Sequence, residues 1–286
     1  RDDIPIETVY ADTKTVEGKK TGILTITSFS EQTAEEFEEH LTKLENDGME
    51  GLVIDVRGNP GGILESVEEI IQHFIPKDVP YIQIEDQEGN KTPYYTTFDQ
   101  KKDYPINVLI DEGSASASEI LAVAMKEVGY DVIGSTSFGK GTVQQAVPLG
   151  DGSTIKLTFY KWLSPEGNWI NEVGVEPTVE QSQPEFYYGN PIVVEEKPLQ
   201  LDDAGEQVEN AQVLLDGIGY NPIRKDGYFD EEMKKQVEAF QKDQGLDVTG
   251  KIDSETAGAI EREAMEQIRE GTQDLQKQKA LEVLYK

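Results

Sequence analysis

Residues 51–57, Gly-Leu-Val-Ile-Asp-Val-Arg, constrain the fold of this chain more than any other stretch. The run is strand-length and nearly all apolar, without polar alternation, so both of its faces must be covered. Such a strand belongs inside a sheet with helices packed on it. It runs into Gly58-Asn59-Pro60-Gly61-Gly62, a turn, and helical periodicity follows over Ile63–Phe74. The unit recurs. Ile106–Ile110 is strand-like and leads through small residues to Ile120, Leu121, Val123, Ala124 and Val128, spaced as in a buried helix, before Val132-Ile133 reads as a short strand. Upstream, Ile4, Ile6 and Val9 precede a second strand at Thr21–Ile26, with Gly18-Lys19-Lys20 as the turn, and Phe37, Leu41 and Leu44 mark one face of a helix over 34–46. Further strands are expected at 80–86, 91–98, 142–147 and 154–159. Strands alternating with helices predict an α/β core, and in open α/β sheets sites gather at the carboxyl ends of strands.

Three serines, Ser114, Ser116 and Ser118, follow the strand at 106–110, and Phe138-Gly139-Lys140-Gly141 follows the short strand at 132–133. A serine hydroxyl is a weak nucleophile until a nearby base takes its proton. His40 and His73 are the only histidines, and each lies in a helix-like segment without the neighbours of a triad. A lysine can serve where apolar surroundings disfavour a charged amine, and Lys140 sits among Phe138, Gly139, Gly141 and Val143. The bland reading is that Ser114 caps a helix, Ser118 and Glu119 support its first turn, and Lys140 is solvated. The Phe-Gly-Lys-Gly turn lacks the spacing of a phosphate-binding loop.

Gly-Ser-Ala-Ser-Ala-Ser-Glu-Ile at 113–120, followed by Ser-Phe-Gly-Lys-Gly-Thr-Val-Gln-Gln at 137–145, resembles the active-site region of the carboxyl-terminal processing (tail-specific) proteases. The resemblance implies a Ser–Lys dyad with Ser116 as nucleophile, Lys140 as general base and Gln144 orienting the lysine. Serine and lysine stand 24 positions apart, one fewer than the family pattern, and the shortening falls in the 129–134 turn. Asp-Val-Arg-Gly-Asn-Pro-Gly-Gly at 55–62 resembles a second family motif and implies oxyanion donors from the backbone N–H groups of Gly61 or Gly62 and of Ala117. Gly-Val-Glu-Pro at 174–177 resembles the stretch that closes the protease domain. The implied fold is a mixed-sheet protease core flanked by helices, over 1–180, with no cofactor and no metal. The family's PDZ domain has no counterpart here, and the chain reads as beginning just after it.

Residues 181–204 form an acidic connector, and the texture then turns helical. Gly219-Tyr220, Asp226-Gly227-Tyr228-Phe229, Phe240-Gln241, Gly245-Leu246 and Thr249-Gly250 resemble a three-helix peptidoglycan-binding module over 205–266, with Ser254 as a cap. A charged helix over 267–286 suits packing on a partner subunit, hence a homodimer. The net charge of −30 excludes nucleic acid and anionic lipid surfaces as partners. There are no cysteines, hence neither disulfides nor thiolate chemistry. No apolar run reaches membrane-spanning length. The function expected is a serine endopeptidase of the bacterial cell envelope, outside the cytoplasm, acting on protein or peptide chains near their carboxyl ends. The alternatives are a cell-wall-binding protein with a silent protease-like core, and a crotonase-like acyl enzyme, against which the acidic composition counts.

Overall fold

Val9–Val16 (β1) and Lys19–Ile26 (β2) form an antiparallel hairpin closed by Glu17 and Gly18, both at positive φ (52° and 81°). Turns of this sense match the twist of the strands they join. The computed structural model describes residues 6–97 and 101–286, so Ile4 and Phe98, each expected in a strand, lie outside the described residues. Next come Thr33–Asn46 (α1), Gly51–Asp55 (β3), Leu64–Ile71 (α2), Pro80–Glu85 (β4), Lys91–Tyr95 (β5) and Ile106–Ile110 (β6). Ala117–Glu127 (α3), Asp131–Gly134 (β7), Thr142–Pro148 (β8), Thr154–Leu163 (β9) and Val179–Glu180 (β10) complete the core.

The main sheet runs in the order β1-β2-β3-β6-β7-β10, and every pairing in it except β1–β2 is parallel. It is the α/β core that the alternating strands and helices predict, with the mixed sheet that the family resemblance implies. Every residue of β3 and β6 is buried. Period-two alternation divides them between two faces. Leu24, Ile54, Val108 and Val132 join the core beneath α1, α2 and α3, whereas Ile23, Val53, Leu109 and Ile133 face the other way. Fully burying a side chain of this size contributes about 1.5–3 kcal/mol. The second sheet, β5-β4-β9-β8, is antiparallel throughout.

The other face of the main sheet is covered by Leu275–Val283 (α7), whose Ala280, with Leu284 just beyond, packs on Ile23, Val53, Leu109 and Ile133. The Asn107 side chain donates to the Ala280 carbonyl at 2.8 Å, and the Tyr285 and Thr21 hydroxyls share a hydrogen bond of 2.7 Å. The sequence assigns this charged tail to a partner subunit. Instead its few apolar residues cover the tail's own sheet, which would otherwise expose a continuous apolar face.

Residues 183–275 form a second compact unit, while 1–182 and 276–286 form the first. In the second unit, Glu206–Gly217 (α4), Glu231–Asp243 (α5) and Ser254–Glu270 (α6) enclose Val208, Leu215, Phe229, Met233, Val237, Phe240 and Ile260. The expected cap at Ser254 shifts by one residue: the Asp253 carboxylate accepts from Thr256 N–H at 2.8 Å. The buried Gln241 side chain accepts from the N–H groups of Thr249 and Gly250 at 3.0 Å and donates to the Lys251 carbonyl at 2.8 Å, which explains why those residues occur together. The stretch read as a connector buries Phe186 and Ile192 in this core, a contribution hidden by its polar composition. The charged helix expected over 267–286 is broken at Gly271, a left-handed cap at φ 67°. No helix of the described residues is long and apolar enough to cross a membrane.

Candidate active site

Three turns leave the carboxyl ends of β3, β6 and β7, and all three meet. Ser116 is the N-cap of α3, in a capping box with Glu119. Its backbone sits at φ 54°, ψ −110°, a region that side chains other than glycine's seldom occupy and that is held only when the surroundings over-determine it. The surroundings here do so. The Ala115 N–H and the Ser118 hydroxyl both donate to the Asn59 carbonyl (3.0 and 2.9 Å), and the Ser114 hydroxyl donates to the Val56 carbonyl at 2.8 Å. Ser114 is thus a brace between β3 and the serine turn rather than the helix cap. The Asp111 carboxylate accepts from Gly58, Gly113 and Ser114 N–H at 2.7–3.1 Å and ties the same two turns together.

The glycine turn lies directly against the nucleophile candidate. A Cβ added at Gly61 (φ 97°) would come within 2.8 Å of the Ser116 Cβ and 2.7 Å of the Ala115 carbonyl; one at Gly62 would overlap the Phe29 carbonyl at 2.0 Å. Only glycine fits this approach. The Gly61 N–H, however, donates to the buried Asn59 side chain at 2.9 Å. Among the described residues no acceptor meets the N–H of Gly62 or of Ala117. Ala117 opens α3, where N–H groups lack intrahelical partners.

The backbone of Lys140 is fixed on both sides. Its N–H donates to Glu119 Oε2 at 2.8 Å and its carbonyl accepts from Trp162 Nε1 at 2.8 Å. Gly141 is held by the Asn171 side chain (3.1 Å) and by Trp169 Nε1 (2.8 Å), so both tryptophans of the chain serve this turn. Lys140 is half-buried, less sheltered than its apolar neighbours in sequence suggest, because β8 carries the following residues outward into solvent. Among the described residues, no hydrogen bond joins its amine to the Ser116 hydroxyl or to Gln144, which is exposed on β8 beside a register shift in the β8–β9 pairing. Of the sequence candidates, Ser116, Ala117, Gly61 and the Lys140 backbone are brought together, whereas Gln144 is exposed on β8.

A cleft of about 410 Å³ opens between α2 and the second sheet, lined by Leu64, Glu68, Ile82, Ile84, Tyr94, Val143 and Tyr160 among others. Leu64 follows the glycine turn and Val143 follows Lys140, so the cleft leads away from both. Burial pushes the Glu68 carboxyl up, against a hydrogen bond from the Tyr81 hydroxyl at 2.8 Å. His73 lies at the far end of α2, its ring 6.2 Å from that of Phe37, and burial lowers its imidazole pKa.

Sequence reasoning missed the two groups that knit the site, Asn59 and Glu119. The signal for Glu119 was present: a carboxylate directly before the apolar run Ile120–Met125.

The sequence model of peptidase family S41 matches residues 20–181, and that of a peptidoglycan binding domain matches residues 204–260. The carboxy-terminal processing protease CtpB of Bacillus subtilis (strain 168) is 54% identical over 286 residues, covering 100% of this chain and 59% of that protein. CtpA of the same strain is 37% identical over 287 residues, covering 100% of this chain and 60% of its own length. The chain thus spans about three-fifths of these relatives. A solved photosystem II D1 C-terminal processing protease is 29% identical, with a TM-score of 0.58 over 64% of this chain and 50% of that one.

Proposed function

This chain belongs to peptidase family S41, a serine protease family, and from that premise we propose that it cleaves protein substrates near their carboxyl ends through a Ser116–Lys140 dyad. The observation that carries the reading is the strained backbone of Ser116 pressed against Gly61. That backbone presents the hydroxyl on the tip of a sharp strand-to-helix turn, where a carbonyl can be approached. Lys140, in its neutral form, takes the hydroxyl proton as the oxygen attacks the scissile carbonyl, and then protonates the leaving amine. Water hydrolyses the acyl-enzyme. The N–H groups of Ala117 and of the glycine pair receive the oxyanion. Gly62 suits this as the structure stands, and Gly61 joins only if Asn59 lets go of its N–H. Gln144 limits the swing of the lysine amine once that amine turns inward. The lysine backbone is anchored within side-chain reach of the Ser116 turn, and catalytic hydrogen bonds commonly tighten only when substrate is bound.

The cleft beyond Leu64 and Val143, lined by these apolar residues and by Glu68, Asp86 and Gln145, offers a seat of mixed polarity for a substrate side chain. A serine-reactive fluorophosphonate should add once per chain, at Ser116, as read by peptide mass. Modification confined to another residue would refute the assignment.

The match over residues 204–260 supports wall binding by the second unit, and with it a place in the bacterial cell envelope, outside the cytoplasm. Tyr188, Asn190, Glu185, Glu206 and Glu209 line a groove of about 310 Å³ there, with a ring and polar acceptors that a saccharide's hydroxyls could meet. The chain should co-sediment with purified peptidoglycan; full retention in the supernatant would count against wall binding.

A further inference from the structure

We propose that Glu119 is a positioning residue that holds the base segment against the nucleophile turn, an inference that rests on the Ser116–Lys140 reading. The Glu119 side chain is fully buried. Its Oε2 accepts from the N–H of Ser116 and from the N–H of Lys140, each at 2.8 Å. The two backbone nitrogens are therefore no further apart than twice that distance, well within the reach of a lysine side chain. Its Oε1 accepts from the Ser137 hydroxyl and from the Gly139 N–H, each at 2.6 Å. Four donors from two segments of chain converge on one carboxylate, and a carboxylate is the side chain that accepts at both oxygens without presenting a donor.

A helix cap alone does not account for this. The capping-box function is complete with the Ser116 N–H, while the remaining three donors all come from residues 137–140, beyond the end of α3. The clasp also extends outward. The Ser137 hydroxyl accepts from the Val175 N–H at 2.7 Å, and the Gly139 carbonyl accepts from the Glu172 N–H at 2.8 Å. A Cβ at Gly174 would meet the Ser137 carbonyl at 2.3 Å. The Gly-Val-Glu-Pro stretch at 174–177, which no step of the proposed chemistry uses, thus packs against the base turn that Glu119 fixes to the nucleophile.

Two variants separate positioning from capping. Glu119→Gln keeps the length but places an amide NH2 against N–H donors. Glu119→Asp keeps the carboxylate and can still cap the Ser116 N–H, but its oxygens fall short of Lys140. Both are assayed on a soluble, unfolded protein substrate, well below their melting midpoints, with kcat and KM determined separately. We expect Glu119→Gln to lower kcat about 100-fold, the scale of an ångström-sized misplacement, and Glu119→Asp to lower it at least about tenfold, both with KM within about threefold of the parent. Reaction of Ser116 with a fluorophosphonate should slow in parallel. A folded Glu119→Asp protein with parental kcat overturns the proposal, even if Glu119→Gln does not fold. Failure of both to fold overturns it as well, since the carboxylate would then be a requirement of the fold. Ser116→Ala, run beside them, keeps the outcomes distinct. Activity surviving there sinks the dyad reading, whereas its loss together with an active Glu119→Asp protein sinks only the clasp.

Discussion

Replacing Ser116 by alanine is expected to lower turnover of an unfolded protein substrate by about 10⁴-fold or more, the scale set by losing the nucleophile of a serine peptidase. The fold should survive. The substitution removes one hydroxyl that makes no side-chain cap hydrogen bond, and it leaves intact the backbone bonds that pin the turn: Ala115 N–H to Asn59 and Ser116 N–H to Glu119. Circular dichroism and a melting midpoint within a few degrees of the parent would establish that the protein is folded, and loss of product on a gel would give the activity. The backbone at φ 54° remains strained in the variant, so stability should not rise appreciably. Turnover at the parental rate would remove Ser116 from the mechanism.

Lys140→Met and Lys140→Arg form the second test, with an expected loss of about 10³-fold or more in each. The argument lies in the pair. Methionine keeps the length and apolar bulk but has no amine. Arginine keeps a cation in place, but its guanidinium does not give up a proton in a protein. If the lysine served only as a positive charge near the oxyanion, arginine would restore much of the rate; if it takes the serine proton, arginine should be as inactive as methionine. The backbone N–H and carbonyl that bind Glu119 and Trp162 are unaltered by either change, so the turn itself should stay in place. Substantial turnover by the arginine variant would exclude the lysine as general base.

The absence of a hydrogen bond between the lysine amine and the serine hydroxyl gives both tests a mechanical setting. The backbone around the two residues is held in place: the strained serine, the glycine approach, and a lysine main chain bound by a buried carboxylate and an indole. The lysine side chain is half-buried and Gln144 is exposed. A substrate that pairs its backbone with this region and covers the amine would shut out water and favour the inward rotamer.

The amino-acid order by itself determined the layer architecture and the three turns that follow its strand ends. Strands β3 and β6 were legible because an uninterrupted apolar run of that length can be satisfied only inside a sheet. The three turns were legible because glycines and small residues follow each strand end. These are local signals, written within ten residues. Tertiary structure decided what depends on residues brought together from afar. Asn59 taking up the Gly61 N–H, and Glu119 binding residues 137–140, are side-chain choices that no periodicity encodes. So is the fate of the last helix, whose sparse apolar residues count for little in sequence yet match the bare row of Ile23, Val53, Leu109 and Ile133. Hydrophobic spacing fixes which face of an element is buried; which partner buries it, and which donor meets a buried carboxylate, follows only when every such group must be satisfied at once.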